Sequence, residues 1–327
     1  MPTLRQTRPR RRLSRAGRPT EPRIVVVGDL VLDVVLAPAV PLEVGSDVPG
    51  KVILTQGGSA ANTARWLGRL GARASLVGAV GRDATGRALV EALRADGVTP
   101  RIVRVAGERT GRIGVFVTPG GERSFVQDRA AALRLSAADL RPAWFAGASL
   151  VHVPMYSLLG EPLGSAGRRA IELGRATGAL ISSDLSSIGP LLADGLTPAR
   201  ALVRGIGADL LFANASESAA LLGTRRPEGL LEYAAIAVVK RGGQGVTVLA
   251  RGADGEPALR FEVATRSVDV ADTTGAGDAF TAGFLVGWFA AKATGHATAA
   301  SLQRAALTGH RAAARQVTTP RPELSIG

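Results

Sequence analysis

From residue 22 onward the chain alternates short apolar runs with segments of helical spacing, and this alternation restricts the fold more than any other feature. "RIVVVGDLVLDVV" reads as a buried strand run ending at a glycine turn. "ANTARWLGRLGA" places Ala61, Ala64, Leu67 and Leu70 on one helical side, with Gly71 as its stop. "ASLVGAVG" is again a strand, and "DATGRALVEALRADGV" a helix with Asp83 near its cap and Gly97 at its end. The pattern continues through strand "LVHV", helix "GSAGRRAIELGRATG", strand "ALISSDL", a helical stretch near 198–206, strand "ADLLFAN", helix "ASESAALLG" and strands "IAVVKRG" and "GVTVLA". Repeated β-α-β units predict an α/β fold with a mostly parallel central sheet and helices on both faces.

Two stretches break the rhythm. Residues 34–56 and 108–128 are rich in β-formers, lack helical spacing and carry Pro and Gly turns, which places them as strands outside the main sheet. Pro119-Gly120-Gly121 reads as a hairpin turn between "GRIGVFV" and "RSFVQ". A small β-layer of this kind can form a lid, because open α/β sheets bind ligands at the carboxyl ends of their strands. It can equally serve packing or pairing, and free lid edges would allow a homodimer.

With 46% hydrophobic residues, the 327-residue chain can bury a large core. No apolar run reaches the roughly 18 residues that cross a bilayer. There is no cysteine, and His152, His296 and His310 form no HExxH-type pair, so thiolate and two-histidine zinc sites are excluded. A reducing cytoplasm suits such a composition. The net charge of +13 invites a nucleic-acid reading, but seven arginines and no acid fall within residues 1–20. Residues 1–21 are therefore expected to be a disordered Arg-rich tail, with no membrane partner and no nucleic-acid partner beyond what that tail could attract. No apolar region with a cleavage site follows it, which argues against a twin-arginine signal.

Several phosphate-binding designs are missing. None of Lys51, Lys240 and Lys292 is followed by Ser or Thr, so there is no Walker A loop. Gly28-Asp29-Leu30-Val31 lacks the further glycines of a dinucleotide fingerprint. Another device is present in "VDVADTTGAGDAFTAGF" at 268–284. Gly275-Ala276-Gly277 lets backbone N–H groups converge without obstruction, directly before an apolar helical run, so those amides lie at the positive end of a helix dipole. Asp278 could simply cap that helix. A carboxylate beside an anion hole also has a chemical use, accepting the proton of a hydroxyl that attacks phosphorus.

"DTTGAGDAF" (272–280) resembles the C-terminal signature of the ribokinase-like, or PfkB, carbohydrate kinases, and "GGSAANTA" (57–64) resembles their N-terminal Gly-Gly signature. The resemblance runs from about 22 to 321, implies a ribokinase-like α/β domain there with a small β-lid, and leaves 322–327 as a C-terminal tail. It implies that Asp278 is the catalytic base and that the amides of Gly275, Ala276 and Gly277 hold the transferring phosphoryl group. Asp33, Gly57, Gly58 and Asn62 match sugar-contacting positions, and Arg123 and Asp128 are further candidates on the second lid stretch. Asn214 and Glu217 resemble an N-x-x-E motif that organises Mg²⁺ and its waters, although Asn capping with Glu at the third helical position explains them equally well. "VVKRGGQGV", with Lys240, Gly242 and Gly243, resembles a strand-loop that touches ATP, and is otherwise a plain turn. Asp272 and Thr274 match monovalent-cation positions, where K⁺ would sit. His310 falls where relatives have Asn near the adenine.

The implied function is ATP- and Mg²⁺-dependent phosphorylation of a primary hydroxyl of a small sugar, in the manner of ribokinase, fructokinase or 2-keto-3-deoxygluconate kinase. A nucleoside kinase of adenosine or pseudouridine type and a sugar-phosphate kinase use the same fold, and the sugar-phosphate reading needs a basic residue such as Arg123 at the substrate.

Overall fold

The computed structural model describes residues 21–252, 259–291 and 298–326. Apart from Glu21, the basic tail expected at the N-terminus lies outside the described residues. The regular elements are β1 (Arg23–Val27), β2 (Val31–Pro38), β3 (Gly50–Gly57), α1 (Ser59–Arg69), β4 (Arg73–Gly81), α2 (Ala84–Ala95), β5 (Thr99–Val105), β6 (Thr110–Val117), β7 (Arg123–Ala130), β8 (Leu150–His152), α3 (Leu163–Ala176), β9 (Leu180–Asp184), α4 (Ile188–Leu191), α5 (Leu196–Ile206), β10 (Ala208–Asn214), α6 (Ala215–Leu222), β11 (Ala234–Lys240), β12 (Val246–Ala250), β13 (Leu259–Val263), α7 (Ala276–Ala291) and α8 (Ala299–Thr318).

Nine strands form the central sheet in the order β13-β12-β11-β10-β9-β8-β1-β4-β5. The pairs from β11 through β5 are parallel, and β12 and β13 add an antiparallel edge. Parallel strands covered on both faces must be apolar on both, and Ile24, Val25, Val26 and Val27 of β1 are all fully buried. Two cores result, one per face. The first is filled from α1, α2, α7 and α8, and the second from α3, α5 and α6.

The opening apolar run does not stay in one sheet. β1 belongs to the central sheet, while β2 leaves it for a second, four-stranded sheet ordered β3-β2-β6-β7. Gly28 makes the break possible: at φ 153° it lies so close to Ser157 that a Cβ would approach the Ser157 hydroxyl to 2.2 Å. The first lid-like stretch supplies β2 and β3, and the second supplies β6 and β7. Their hairpin is closed by Thr118 N–H to the Glu122 carbonyl at 2.9 Å, with Gly121 at φ 88°.

Residues 322–326, within the segment read as a C-terminal tail, pack back onto the second sheet. Leu324 N–H donates to the Leu54 carbonyl at 2.7 Å, Glu323 bridges to Thr55, and Leu324 is buried. The segment therefore covers part of the β3 edge, and the edge at β7 keeps Phe125 and Val126 exposed.

Helix α7 is apolar all round and packs between α1 and α8. Its contact with α8 is glycine against backbone, since a Cβ on Gly283 would lie 2.7 Å from the Thr308 carbonyl oxygen and 2.9 Å from the Gly309 Cα. Phe284 meets Phe212 of β10 edge-on at 5.4 Å, an arrangement worth about 0.5–1.5 kcal/mol beyond area burial.

Candidate active site

The site lies where the parallel strands end. β9 finishes at Asp184, β10 at Asn214 and β11 at Lys240, and all three line a cavity of about 440 Å³ that α7 closes with Gly277 and Asp278. The roof is the concave side of the second sheet, with Asp33, Ile113, Phe125, Gln127 and Arg129 facing in. A second cavity of about 430 Å³ shares Lys240, Gly242 and Gly277 with the first and continues along Val246, Phe280, His310, Ala313 and Val317. The start of α7 thus stands between a polar chamber and a mainly apolar one.

Gly275 adopts φ 75° and turns the chain into α7. The first amides of a helix have no partner four residues back, so they remain free for a ligand. Of the three amides expected to bind anions, that of Ala276 donates to the Thr273 carbonyl at 3.2 Å to close the turn. Among the described residues, those of Gly275 and Gly277 have no acceptor.

Asp278 is held by two residues of α1. Ser59 Oγ donates to its Oδ1 at 2.8 Å and Asn62 Nδ2 to its Oδ2 at 3.0 Å. Burial raises its carboxyl from 3.8 to about 7; the bond from Asn62 works against that rise, while the negative charge of Asp184 adds to it. Asn62, expected as a sugar contact, therefore also fixes the base.

Lys240 and Asp184 form the charged floor. Lys240 Nζ donates to Asp184 Oδ2 at 2.5 Å, and Thr281 Oγ1 donates to the same oxygen at 3.0 Å. Burial favours the neutral carboxyl, yet the charge and hydrogen bond of Lys240 hold Asp184 below the ordinary carboxylate range. Nζ also lies 3.3 Å from where a Cβ on Gly277 would sit, so it reaches the helix start. A strand-end aspartate carries no local signal, so nothing in the residues around Asp184 singles it out.

Asn214 and Glu217 form the capping box outright, with Glu217 N–H to Asn214 Oδ1 and Asn214 N–H to Glu217 Oε2, both 2.8 Å. They also line the polar cavity, so both readings of this motif hold geometrically. Burial and then the charge of Asp184 raise Glu217 above its ordinary value. Among the described residues no three acids or histidines converge into a metal cage. Mg²⁺ takes most of its ligands from phosphates and water, so one or two carboxylates of the Asp184 and Glu217 kind fit it.

The paired glycines have separate tasks. A Cβ on Gly57 would fall 1.9 Å from Asp33 Oδ1, and one on Gly58, at φ 102°, would fall 2.5 Å from the Asp29 carbonyl oxygen. Gly57 thus admits Asp33, and Gly58 lets α1 begin against Asp29. Asp29 Oδ1 accepts the Ala60 N–H at 3.1 Å, capping the helix that Gly58 cannot cap. Its other oxygen lies 3.3 Å from Arg129, whose guanidinium stacks on Tyr156 at 3.8 Å.

Three expectations require correction. Arg123 does not reach the polar cavity: it pairs with Asp272 Oδ1 at 2.9 Å and bonds the Thr273 hydroxyl. Asp128, on the other side of β7, pairs with Arg109 and is exposed; the alternation along β7 brings Gln127 and Arg129 inward instead. Asp272 has both oxygens engaged, the second by Arg321 Nε at 3.1 Å, and its Oδ1 also accepts the Thr274 N–H at 2.7 Å. Two guanidinium groups already occupy the surroundings expected of a monovalent cation, so K⁺ at Asp272 and Thr274 does not fit. His310 lines the second cavity, its Nε2 bonded to the Val263 carbonyl at 3.1 Å and its ring edge-on to Phe280.

The pfkB family carbohydrate kinase model matches residues 21–326. The chain belongs to that family. It is 32% identical to fructokinase-1 of Oryza sativa subsp. japonica over 277 residues, covering 80% of this chain and 81% of the relative. It is also 32% identical to the fructokinase of Klebsiella pneumoniae over 284 residues, 81% and 84% of the two chains. Among solved structures, adenosine kinase from Sinorhizobium meliloti superposes with a TM-score of 0.77 at 26% identity over 94% of this chain and 97% of its own. An Escherichia coli ribokinase II-type protein in complex with ATP and Mg²⁺ matches in fold, with a TM-score of 0.76 at 24% identity over 92% and 94% of the two chains. This pfkB member is an ATP-dependent sugar kinase. Among its described residues no helix is long and apolar enough to cross a membrane.

Proposed function

We propose that this kinase transfers the γ-phosphoryl group of ATP to a primary hydroxyl of a small neutral sugar in the cytoplasm, with D-fructose the first sugar to test. The observation that carries the reading is the position of Asp278, a half-buried carboxylate raised to about 7 on the wall between the polar and apolar chambers. A base with a pKa near the working pH suits proton abstraction from an alcohol. The sugar binds under the roof, its hydroxyls bonded by Asp33 and by the carbonyl oxygen of Asn62. ATP lies with its base in the apolar chamber beside His310 and its phosphates over Gly242 and Gly243. Lid closure excludes water and so protects ATP from hydrolysis.

The sugar hydroxyl then gives its proton to Asp278 as its oxygen attacks the γ-phosphorus and ADP departs. The Gly275 and Gly277 amides and Lys240 stabilise the charge on the transferring group. Glu217 and Asp184, with Asn214 beside them, would hold Mg²⁺ and its waters, and the ion would screen charge on the phosphates. The polar chamber is lined by Asp29, Asp33, Asp184, Glu217 and Asp278 against only Lys240 and Arg129, both already paired. That balance favours a neutral substrate over a sugar phosphate.

A nucleoside is the second reading. The adenosine kinase neighbour favours it, as does the aromatic Phe125 on the chamber wall. An ADP-release panel of fructose, ribose, other hexoses and adenosine separates the two. Asp278→Asn should lower kcat by roughly 10²–10⁴ fold on whichever substrate scores; unchanged turnover would remove Asp278 from the mechanism.

A further inference from the structure

The two ends of the reaction are built from opposite ends of the chain, and one side chain joins them. Arg321 follows α8 and is buried, its side chain 7% exposed. Its Nη1 donates to Asp33 Oδ2 at 2.6 Å and to the Gln56 carbonyl at 3.3 Å, while its Nε donates to Asp272 Oδ2 at 3.1 Å. Asp33 and Gln56 belong to roof strands β2 and β3. Asp272 begins the loop that ends in Gly275 and Asp278, and the same loop holds Arg123 of roof strand β7. Two carboxylates from separate layers thus share one planar guanidinium, which a lysine ammonium could not span with the same geometry.

We propose that Arg321 is a positioning residue that clamps the sugar-binding roof to the phosphoryl-binding loop, fixing Asp33 for the sugar and holding the two layers in register. This rests on the reading of Asp33 as a sugar ligand, but the mechanical part does not need it. Both oxygens of Asp272 are spent on arginines from the roof and the C-terminal segment, and among the described residues no other side chain bonds Asp33, Gln56 and Asp272 together. The clamp also sets the charge of Asp33. Burial lifts its carboxyl to about 6, with Asp29 and Asp272 adding to the rise and Arg321 opposing it. Arg129, the other cation nearby, is already committed to Asp29.

The test compares the full-length wild type with Arg321→Met, Arg321→Lys and Asp272→Asn, using D-fructose and ATP as probes. Loss of a charge-assisted hydrogen bond to Asp33 should raise KM for fructose roughly tenfold or more in Arg321→Met, with kcat and KM for ATP much less affected. The acid limb of kcat/KM for fructose carries Asp278 near 7 and Asp33 near 6, and the Asp33 step should move to higher pH in Arg321→Met, because only the groups that raise Asp33 remain. Arg321→Lys keeps a charge and should restore the limb while recovering KM only in part. A purely structural arginine would lower Tm and leave KM and the pH limb of the folded enzyme where they were, and that result overturns the proposal.

Hydrogen exchange provides a readout that needs no turnover. Arg321→Met and Asp272→Asn should each speed exchange in both 31–38 with 50–57 and 271–275, and exchange confined to one layer also overturns the clamp. If Arg321→Met does not fold, Arg321→Lys and Asp272→Asn carry the same comparison. A wild type that phosphorylates no sugar refutes the substrate reading, while the exchange result still decides the clamp.

Discussion

Replacing Lys240 with Met keeps an unbranched stem and removes the cation from the floor of the site. The side chains of Lys240 and Asp184 are 15% and 4% exposed and 2.5 Å apart, so water has little access to replace the lost partner. Thr281 is then the remaining donor to that carboxylate oxygen. Stripping one partner from a buried pair costs about 3–5 kcal/mol, because the other charge stays uncompensated. At about 2.1 cal/mol/K of unfolding entropy per residue over about 300 residues, this corresponds to a Tm lower by about 5–8 °C.

The loss has a defined pH dependence. With Lys240 in place Asp184 sits below its ordinary 3.8, so it contributes stability above that value and loses it as pH falls through the lower native pKa. Without Lys240, burial dominates and lifts the native pKa, so the deficit is largest at neutral pH and narrows on acidification. Differential scanning calorimetry on wild type, Lys240→Met, Asp184→Asn and the double variant closes the cycle. The double variant should recover much of the loss, since it buries no lone charge. A Lys240→Met protein within about 1 °C of wild type, or a double variant as unstable as the single one, would refute the argument.

The free enzyme should follow Asp278: kcat/KM falls about tenfold per pH unit below about 7, read from initial rates at low sugar in a constant-ionic-strength buffer series. Gly57→Ala should push Asp33 out of place without backbone strain, since its Cβ would lie 1.9 Å from Oδ1; KM for the sugar rises and KM for ATP holds, as steady-state kinetics would show. Because Arg123 and Arg321 occupy Asp272, rates in K⁺, Na⁺ and a bulky organic cation at equal ionic strength should coincide.

Much of the site was legible because its parts are local. Gly57-Gly58, Gly275 to Asp278 and the Asn214–Glu217 pair are each a few residues of special backbone or capping chemistry, and such chemistry leaves a pattern in a short window. Partnerships across the fold leave none. Asp184 is an ordinary strand end until Lys240 arrives 56 residues later. Arg123 and Arg129 share one face of one strand, and only the curl of the roof over the loop sends the first to Asp272 and the second to the chamber. The mostly apolar run at 24–36, interrupted by Gly28, Asp29 and Asp33, likewise hid the change of sheet at Gly28, because strands of both sheets bury the same residue types.

The bond between Asp33 and Arg321 spans 288 residues of chain. During synthesis the roof strand that carries Asp33 emerges early and must wait for almost the whole remaining sequence before its partner exists. Contacts of such separation form late and close large loops. A nascent chain halted before α8 has therefore neither the clamp nor the helix that packs against α7. The roof strands thus precede their anchor through almost all of synthesis, and the link between sugar-side and phosphate-side layers is made only once Arg321 has emerged.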